Sequence, residues 1–449
     1  MHVHFLHLDL GVGGAERLVV DAACALKLRG HSVLLLTSHH DPNHAFEETM
    51  ISADGLISQD IRCAGDWLPR HACGKRFHLF FAILRTIYTC RQFANTSPPP
   101  DVYIIDQVSF AIPFARWFLP QGTPILFYLH FPDKLLVQEK RGWARRAYRF
   151  VFDWLEEYTT CQADRIVTNS HYTLGVVQQA FPSLGALLNR TTNGKVLYPC
   201  VDLEQFDRAQ IERPSPEFAK LLLQLGDNFC LSINRFERKK NIQLVVDAFA
   251  LVYEQHPSAR LVITGGYDDR VEENVLYCQQ LQRLVHQDLG LSEVVHFWVN
   301  CSEGEKRTLL GKCRVLVYTP AGEHFGIVPI EAGAARKPCI CCNSGGPLES
   351  IVDGETGMLC EPTALEFAHA MEVFVGRNGL EHSATVGRQA RARVERLFSR
   401  ASFGENLEHI CEEMRLGNKR HTAPQFGRVW LWVALLVVMA ATAAYTNII

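Results

Sequence analysis

An excess of charge of one sign is the first thing this 449-residue sequence lacks. Its 45 Lys and Arg nearly balance its 48 Asp and Glu, leaving −3, so no electrostatic field argues for nucleic acid as a partner. Its first residues lack the basic and long apolar regions of a leader; residues 3–7 read as a strand instead. Metal-ligand spacing is lacking as well, although there are 15 cysteines. Cys339, Cys341 and Cys342 have no second ligand pair at a suitable distance, and they read as small hydrophobes in a core strand. The cysteines as a set read as reduced, which fits a cytosolic face. What is present is apolar: 47% hydrophobic residues with 21% charged describe a globular chain with a large core, long enough for two or three domains.

Short apolar, β-branched runs alternate with helical patterns. Candidate strands cover residues 3–7, 33–37, 102–106, 125–130, 165–169 and 196–199. After a looser, proline-bearing stretch they resume at 229–234, 261–264, 294–299, 315–318 and 339–342. Such alternation predicts an α/β class with doubly wound parallel sheets and helices on both faces, divided near Pro199.

Two stretches of the first half are candidates for a lipid surface. Residues 75–94 are apolar and aromatic with Arg85 in the middle, which predicts an interfacial or buried helix and not a crossing. Residues 141–158 interleave arginines with aromatics and read either as a basic helix on anionic lipid or as a surface helix with one core face. The 21 residues from Val429 to Ile449 carry no charge. As a helix they would extend about 31 Å, close to the hydrocarbon thickness of a bilayer. Trp430 and Trp432 would mark one interface. Arg415, Lys419, Arg420 and Arg428 precede the run and no Lys or Arg follows it, which places the body of the protein on the cytosolic side.

Residues 315–331 organise the candidate site. A strand ends at Tyr318, a loop carries Glu323, and a helix opens near Ile327 with Pro329 in its first turn. Glu323 then lies just past the carboxyl end of a strand and Glu331 in the first turns of a helix. Open α/β sheets bind ligands at that edge. Taken alone, the pair also reads as a solvated loop acid and a helix-dipole acid. Arg235, Gly265 and Gly345 fall at the carboxyl ends of other predicted strands, and that coincidence favours a binding edge. Arg235 as a fork and Lys240 as a point charge suit a diphosphate. Gly345, Gly346 and Pro347 read as an anion cradle at a helix N-terminus. The loop with Gly13 and Gly14 reads either as a second such cradle or as a plain tight turn. His130 closes its strand and points to the crevice, or is a hydrogen-bonded loop histidine.

Together these residues resemble the retaining family-four glycosyltransferases of the two-Rossmann-domain (GT-B) class. Within that class they are most similar to the mannosyltransferases that extend dolichol-linked oligosaccharide for asparagine-linked glycosylation. The resemblance covers about residues 1 to 415. It is carried by Gly13-Gly14-Ala15-Glu16-Arg17, by Cys63-Ala64-Gly65-Asp66-Trp67-Leu68-Pro69 and by His130-Phe131-Pro132-Asp133. The more specific segments, taken together, are Ile233-Asn234-Arg235-Phe236-Glu237-Arg238-Lys239-Lys240-Asn241, Glu323-His324-Phe325-Gly326-Ile327-Val328-Pro329 through Glu331, and Asn343-Ser344-Gly345-Gly346-Pro347-Leu348-Glu349-Ser350.

The resemblance implies an acceptor- and membrane-facing domain at 1–199, a nucleotide-sugar domain at 200–400, a closing helix and basic linker at 401–425, and a transmembrane helix at 426–449. It implies GDP-mannose as donor, with no separate cofactor or metal. The acceptor would be mannosylated chitobiose on dolichyl diphosphate, extended by an α1,3 and then an α1,6 mannose. The setting would be the endoplasmic reticulum membrane, with the catalytic domains on its cytosolic face and other mannosyltransferases of the pathway as partners. Implied catalytic residues are Arg235 and Lys240 on the diphosphate, Glu323 on the donor sugar and His130 near that sugar. Gly13, Gly14, Gly265, Phe325, Gly326 and Ile327 would contact the donor, and Glu331 its ribose. Retention would proceed on one face of the sugar, without Glu323 as nucleophile. The alternatives are a lipid-linked glycosyltransferase using another nucleotide sugar, and a non-catalytic membrane-tethered scaffold of the same fold.

Overall fold

In the computed structural model, residues 1–42, 44–51, 55–71, 78–136, 143–190, 194–208 and 214–417 are described. The chain divides into two units, one of residues 1–199 with the segment from Phe403 onward, the other of Cys200–Ser402.

The first unit is built on β1 (His2–Leu10), β2 (Ser32–His40), β3 (Ile61–Cys63), β4 (Val102–Asp106), β5 (Ile125–Leu129), β6 (Arg165–Thr168) and β7 (Gly194–Val196). All pair in parallel, in the order β3-β2-β1-β4-β5-β6-β7. Helices cover both faces of such a sheet, so its central strands are apolar throughout instead of alternating. Val-Tyr-Ile-Ile-Asp and Ile-Leu-Phe-Tyr-Leu, the whole of β4 and β5, are buried end to end. On one face Leu6, Leu36, Ile105 and Phe127 share a core. On the other, Phe5, Ile104 and Leu126 meet Leu18, Val19 and Ala22 of the helix Gly14–Leu28. The chain runs outward from β1 through β2 to β3, then returns to lay β4 against the other side of β1. The carboxyl ends of β1 and β4 therefore flank the point where the winding reverses, the place where ligands bind in open α/β sheets.

The helix His78–Phe93 settles one of the two lipid-surface readings. Its Arg85 is 3% exposed and forks Asp9 at the end of β1, at 2.8 and 2.6 Å. Ile83 and Ile87 pack with Val108 and Phe114. This is a packed crossover helix, and its mid-run arginine is a core charge with its own counter-ion; residues 75–77 of the expected stretch lie outside the described residues. In the helix Trp143–Thr160, Phe152 and Leu155 pack inward with Leu79 and Phe110, while Phe150 and Trp154 are exposed. Residues 141–142 and the side chains of 143–149 and 151 lie outside what is described. So do 418–425 and the apolar run 426–449. Among the described residues no helix is long and apolar enough to cross a membrane.

The second unit repeats the plan with β8 (Phe229–Ile233), β9 (Arg260–Gly265), β10 (Val295–Val299), β11 (Val315–Tyr318), β12 (Cys339–Cys342) and β13 (Gly357–Cys360). They form a parallel sheet in the order β10-β9-β8-β11-β12-β13. Side chains alternate between two cores: Phe229, Leu231, Leu316, Tyr318, Cys339 and Cys341 on one face, Cys230, Val315, Val317, Ile340 and Cys342 on the other. Period-two alternation thus sends Cys342 away from Cys339 and Cys341. The three cysteines do not converge, and they fill space as small apolar side chains. Here the winding reverses between β8 and β11.

The helix Arg400–Leu416, expected as a closing segment of its own, packs from Phe403 onward with the first unit. Gly404 brings its backbone close to Ala25 and Arg29. Glu408 accepts from Arg29 and sits 2.6 Å from His31 Nε2, and Glu413 accepts from Lys195 at 2.7 Å.

Candidate active site

At the reversal point of the second sheet, β8 ends at Ile233 and leads through Asn234 and Arg235 into a short 3-10 turn, Arg238–Lys240. Across from it, β11 ends at Tyr318 and the loop carries Glu323. Lys240 Nζ and the Glu323 carboxylate form an ion pair, and the Thr319 hydroxyl donates to the Lys240 carbonyl at 2.8 Å. Burial alone would raise the Glu323 carboxyl; Lys240, His324 and the Tyr318 hydroxyl outweigh it and hold it below the usual range. Burial pushes the His324 imidazole down.

This loop is clamped to the turn after β12. Gly346 donates to the Glu323 carbonyl at 2.7 Å, and Gly322 donates to Ser344 Oγ at 3.0 Å. Gly345 has φ +71°, and a Cβ there would come 2.4 Å from the Glu323 carbonyl oxygen. The cradle residues Gly345 and Gly346 thus hold the acid loop in place. Gly265, at the end of β9, has φ +144°, and a Cβ there would lie 2.0 Å from the Asn234 carbonyl oxygen. Only glycine allows the β9 end to approach the chain just before Arg235 so closely.

Glu331, in the helix Ile327–Ala334, faces a partner that sequence reasoning missed. Lys306 Nζ lies 2.9 Å from both Glu331 and Glu303, and the two carboxylates hold this buried ammonium above its ordinary value against desolvation. A capping box between Ser302 and Glu305 fixes the start of Lys306's helix just after β10. Phe325 is buried with its ring edge against Phe398 at 5.9 Å, so its backbone is what it offers to a ligand. Gly326 has φ +81° and caps the helix that starts at Ile327.

The fold thus brings Lys240, Glu323 and Gly345 together, and Lys306 with Glu331. Arg235 stands apart from the Lys240–Glu323 pair: its side chain is 64% exposed and pairs with Glu237 at 3.2 Å.

In the first unit the site residues also sit at the reversal point. His130, just after β5, places Nε2 3.1 Å from Asp106 Oδ2 at the end of β4, and Asn169 donates to its carbonyl at 3.1 Å. Asp106 in turn meets His7 of β1, with Nδ1 2.9 and 3.0 Å from its two oxygens. Gly13 caps the helix Gly14–Leu28 in an extended conformation. The Glu16 carboxylate lies over it, 2.3 Å from where a Cβ would stand, while the space beside Gly14 is open. The chain's own acid therefore sits at this helix N-terminus.

Two parallel, doubly wound units with polar groups gathered at their reversal points form a GT-B-like fold, and the family models that match them make the chain a glycosyltransferase. Residues 12–205 match the model of Glycosyltransferase Family 4, and 215–393 that of Glycosyl transferases group 1. Among solved structures, sucrose-phosphate synthase from Thermosynechococcus elongatus aligns with a TM-score of 0.68 at 19% identity, covering 92% of this chain and 98% of that one. The Anabaena protein HepE in complex with UDP aligns at 0.62 and 20% identity, over 92% and 100%.

The particular family follows from closer relatives. Human alpha-1,3/1,6-mannosyltransferase ALG2 is 43% identical over 90% of this chain and 94% of its own length. The Saccharomyces cerevisiae protein of the same name is 38% identical over 93% and 86%. The chain belongs to the alpha-1,3/1,6-mannosyltransferase family of N-glycan precursor assembly.

Proposed function

We propose that this mannosyltransferase takes mannose from GDP-mannose and adds it to mannosylated chitobiose on dolichyl diphosphate, first in α1,3 and then in α1,6 linkage. The observation that supports the donor assignment best is the Lys240–Glu323 pair at the reversal point of the second sheet. A diphosphate arriving there would meet an ammonium already held in place, and the exposed Arg235 would exchange its Glu237 partner for the phosphates as a bidentate fork. Glu331, steadied by Lys306, would accept from ribose hydroxyls.

In the reaction the anomeric C1–O bond to GDP breaks and a bond from C1 to the acceptor hydroxyl oxygen forms. The acceptor proton passes to the departing phosphate, and the new bond forms on the face the phosphate leaves. Arg235 and Lys240 would stabilise the charge that develops on the leaving group, a preorganised electrostatic effect. Glu323 is engaged with Lys240 and Tyr318, which suits a group that binds sugar hydroxyls better than a free nucleophile. With two protein cations on the diphosphate, a metal is not required by this chemistry; activity that disappears in EDTA and returns with magnesium would refute that part.

The proposal includes an endoplasmic reticulum membrane setting, anchored by the apolar tail, with the body on the cytosolic face. The test is incubation of the purified full chain with GDP-mannose and a synthetic lipid-diphosphate trisaccharide. Two sequential mannose additions, resolved as α1,3 and α1,6 by linkage-specific mannosidases, are expected. Transfer from a UDP-sugar in preference to GDP-mannose, or no transfer at all, would overturn it.

A further inference from the structure

Gln107 follows the last residue of β4, at the reversal point of the first sheet, and has φ +60°. The Val108 N–H donates back to the Asp106 carbonyl at 2.6 Å. A hydrogen bond closed over one residue of positive φ is a γ-turn of the rare, strained kind.

Among the described residues three other non-glycines have positive φ, and each has a local cause. Arg336 follows a helix end, where bonds from Arg336 to Gly333 and from Lys337 to Ala332 close a Schellman cap. Asn300 is clasped to Tyr267: its Oδ1 accepts from the Tyr267 N–H and its amide donates to the Tyr267 carbonyl, both at 2.7 Å. Asn241 caps the helix Ile242–Gln255, and asparagine enters this region more readily than most residues.

Gln107 has none of these causes. Its neighbours are fixed and buried, Asp106 by His7 and His130 and Val108 by packing with Ile83, Ile87 and Phe114. A glycine would turn the chain between these anchors without strain. The glutamine side chain is exposed instead, and among the described residues its carboxamide has no hydrogen-bond partner. No contact within the protein offsets the strain, and strain of this kind collects at ligand sites.

The charges at this edge narrow the ligand. Asp9 engages Arg85, Asp106 engages His7, and the Glu16 carboxylate lies over the start of the helix that follows β1. Such an edge disfavours a phosphate and suits a neutral ligand. A carboxamide offers both a donor and an acceptor, as sugar hydroxyls and acetamido groups do.

We propose that Gln107 is an acceptor-specificity residue, its strained turn presenting the carboxamide to a hydroxyl or acetamido group of the acceptor saccharide. This rests on the reading of the acceptor as mannosylated chitobiose. The contact belongs to the first unit alone.

The test compares the full chain with Gln107→Gly and Gln107→Asn. Gln107→Gly removes the carboxamide and the strain together, so it is expected to melt no lower than the unaltered protein. With the synthetic lipid-diphosphate trisaccharide its acceptor KM is expected to rise about 10-fold, as for the loss of one hydrogen bond, while KM for GDP-mannose stays as it was. Gln107→Asn keeps a residue suited to the turn but withdraws the amide by one methylene, and is expected to show a rise of the same sign. An unchanged acceptor KM in both variants overturns the proposal, and so does a rise confined to the GDP-mannose KM.

Nitrogen NMR of the Gln107 side-chain amide, identified by its disappearance in Gln107→Gly, reads the contact without turnover. With GDP present, the trisaccharide acceptor is expected to shift that signal. A shift in a protein that transfers no mannose supports the contact and refutes the proposed reaction. Transfer with the signal unmoved refutes the contact and leaves the reaction standing.

Discussion

Lys240 and Glu323, 83 positions apart in the sequence, are joined as an ion pair where the winding of the second sheet reverses. Their side chains are only 12% and 21% exposed, so neither can find a ready substitute in solvent. Lys240→Ala is expected to lower kcat by about 10²-fold or more and to cost about 1–3 kcal/mol of stability, because Glu323 is left half-buried without its cation. Arg235→Ala is expected to match the kinetic loss with little change in stability, since its side chain lies mostly in solvent. Initial rates with GDP-mannose and urea unfolding of each variant give both numbers. Equal destabilisation by the two changes would contradict this account.

Lys306 holds Glu331 from the neighbouring helix. Lys306→Met leaves the buried Glu331 without its cation, while Glu303 is mostly in solvent and loses little, and should destabilise the protein by about 2–3 kcal/mol. In whatever fraction remains folded, KM for GDP-mannose should rise more than kcat falls, because ribose binding is largely shared by ground and transition states. A kcat effect with KM untouched would place Lys306 elsewhere in the mechanism.

Gly265 is expected to tolerate nothing larger. Gly265→Ala needs a φ that L residues rarely adopt and drives a methyl into the Asn234 carbonyl. A cost of about 2–4 kcal/mol is expected, with loss of donor protection against thermal unfolding as the Arg235 turn shifts. A variant that melts like the unaltered protein would show that the two strand ends can part.

His4 and His7 share β1 but, three residues apart, point to opposite faces, and their environments push them in opposite directions. Burial, with the nearby His2 charge, takes His4 down to about 4 from 6.5, and its Nδ1 is buried with no hydrogen-bond partner. The unfolded chain then binds a proton that the folded one refuses. Stability should fall as pH drops from 6.5 to 4, by about 3 kcal/mol in total, and level off below. His7 has the opposite sign: its contribution is whole below 6.5 and is lost as pH rises through its raised folded value. Urea titrations of His4→Leu should show a flatter acid limb than those of the unaltered protein; an equally steep limb would remove His4 as the cause.

Local signals carried the architecture well. Val315–Tyr318 and Cys339–Cys342 lie where their apolar runs put them, because a strand buried on both faces announces itself in composition. Edge strands do not: Ile61–Cys63 exposes two of its three residues, and Gly357–Cys360 opens on a glycine, so neither stood out. Whether Arg85 belonged to an interfacial or a buried helix stayed open in the sequence because its counter-ion, Asp9, is 76 residues away. The same distance problem hid Lys306 from Glu331 and His7 from Asp106. Pairwise electrostatics across crossovers leaves no periodic trace in a sequence. The available hint was His7 in β1 and Asp106 closing the otherwise apolar β4, since an ionisable group in a central strand requires a partner.

The helix Arg400–Leu416 has a consequence for how the protein is made. Its inner face, with Phe403, Leu407, Ile410 and Cys411, completes a core that the ribosome began some four hundred residues earlier. The first unit cannot finish assembling until the second has been synthesised in full, and a chain released early would leave an unroofed apolar surface beside Ala25. Nonsense changes just before Phe403 should therefore yield insoluble product even though every strand of both sheets is present.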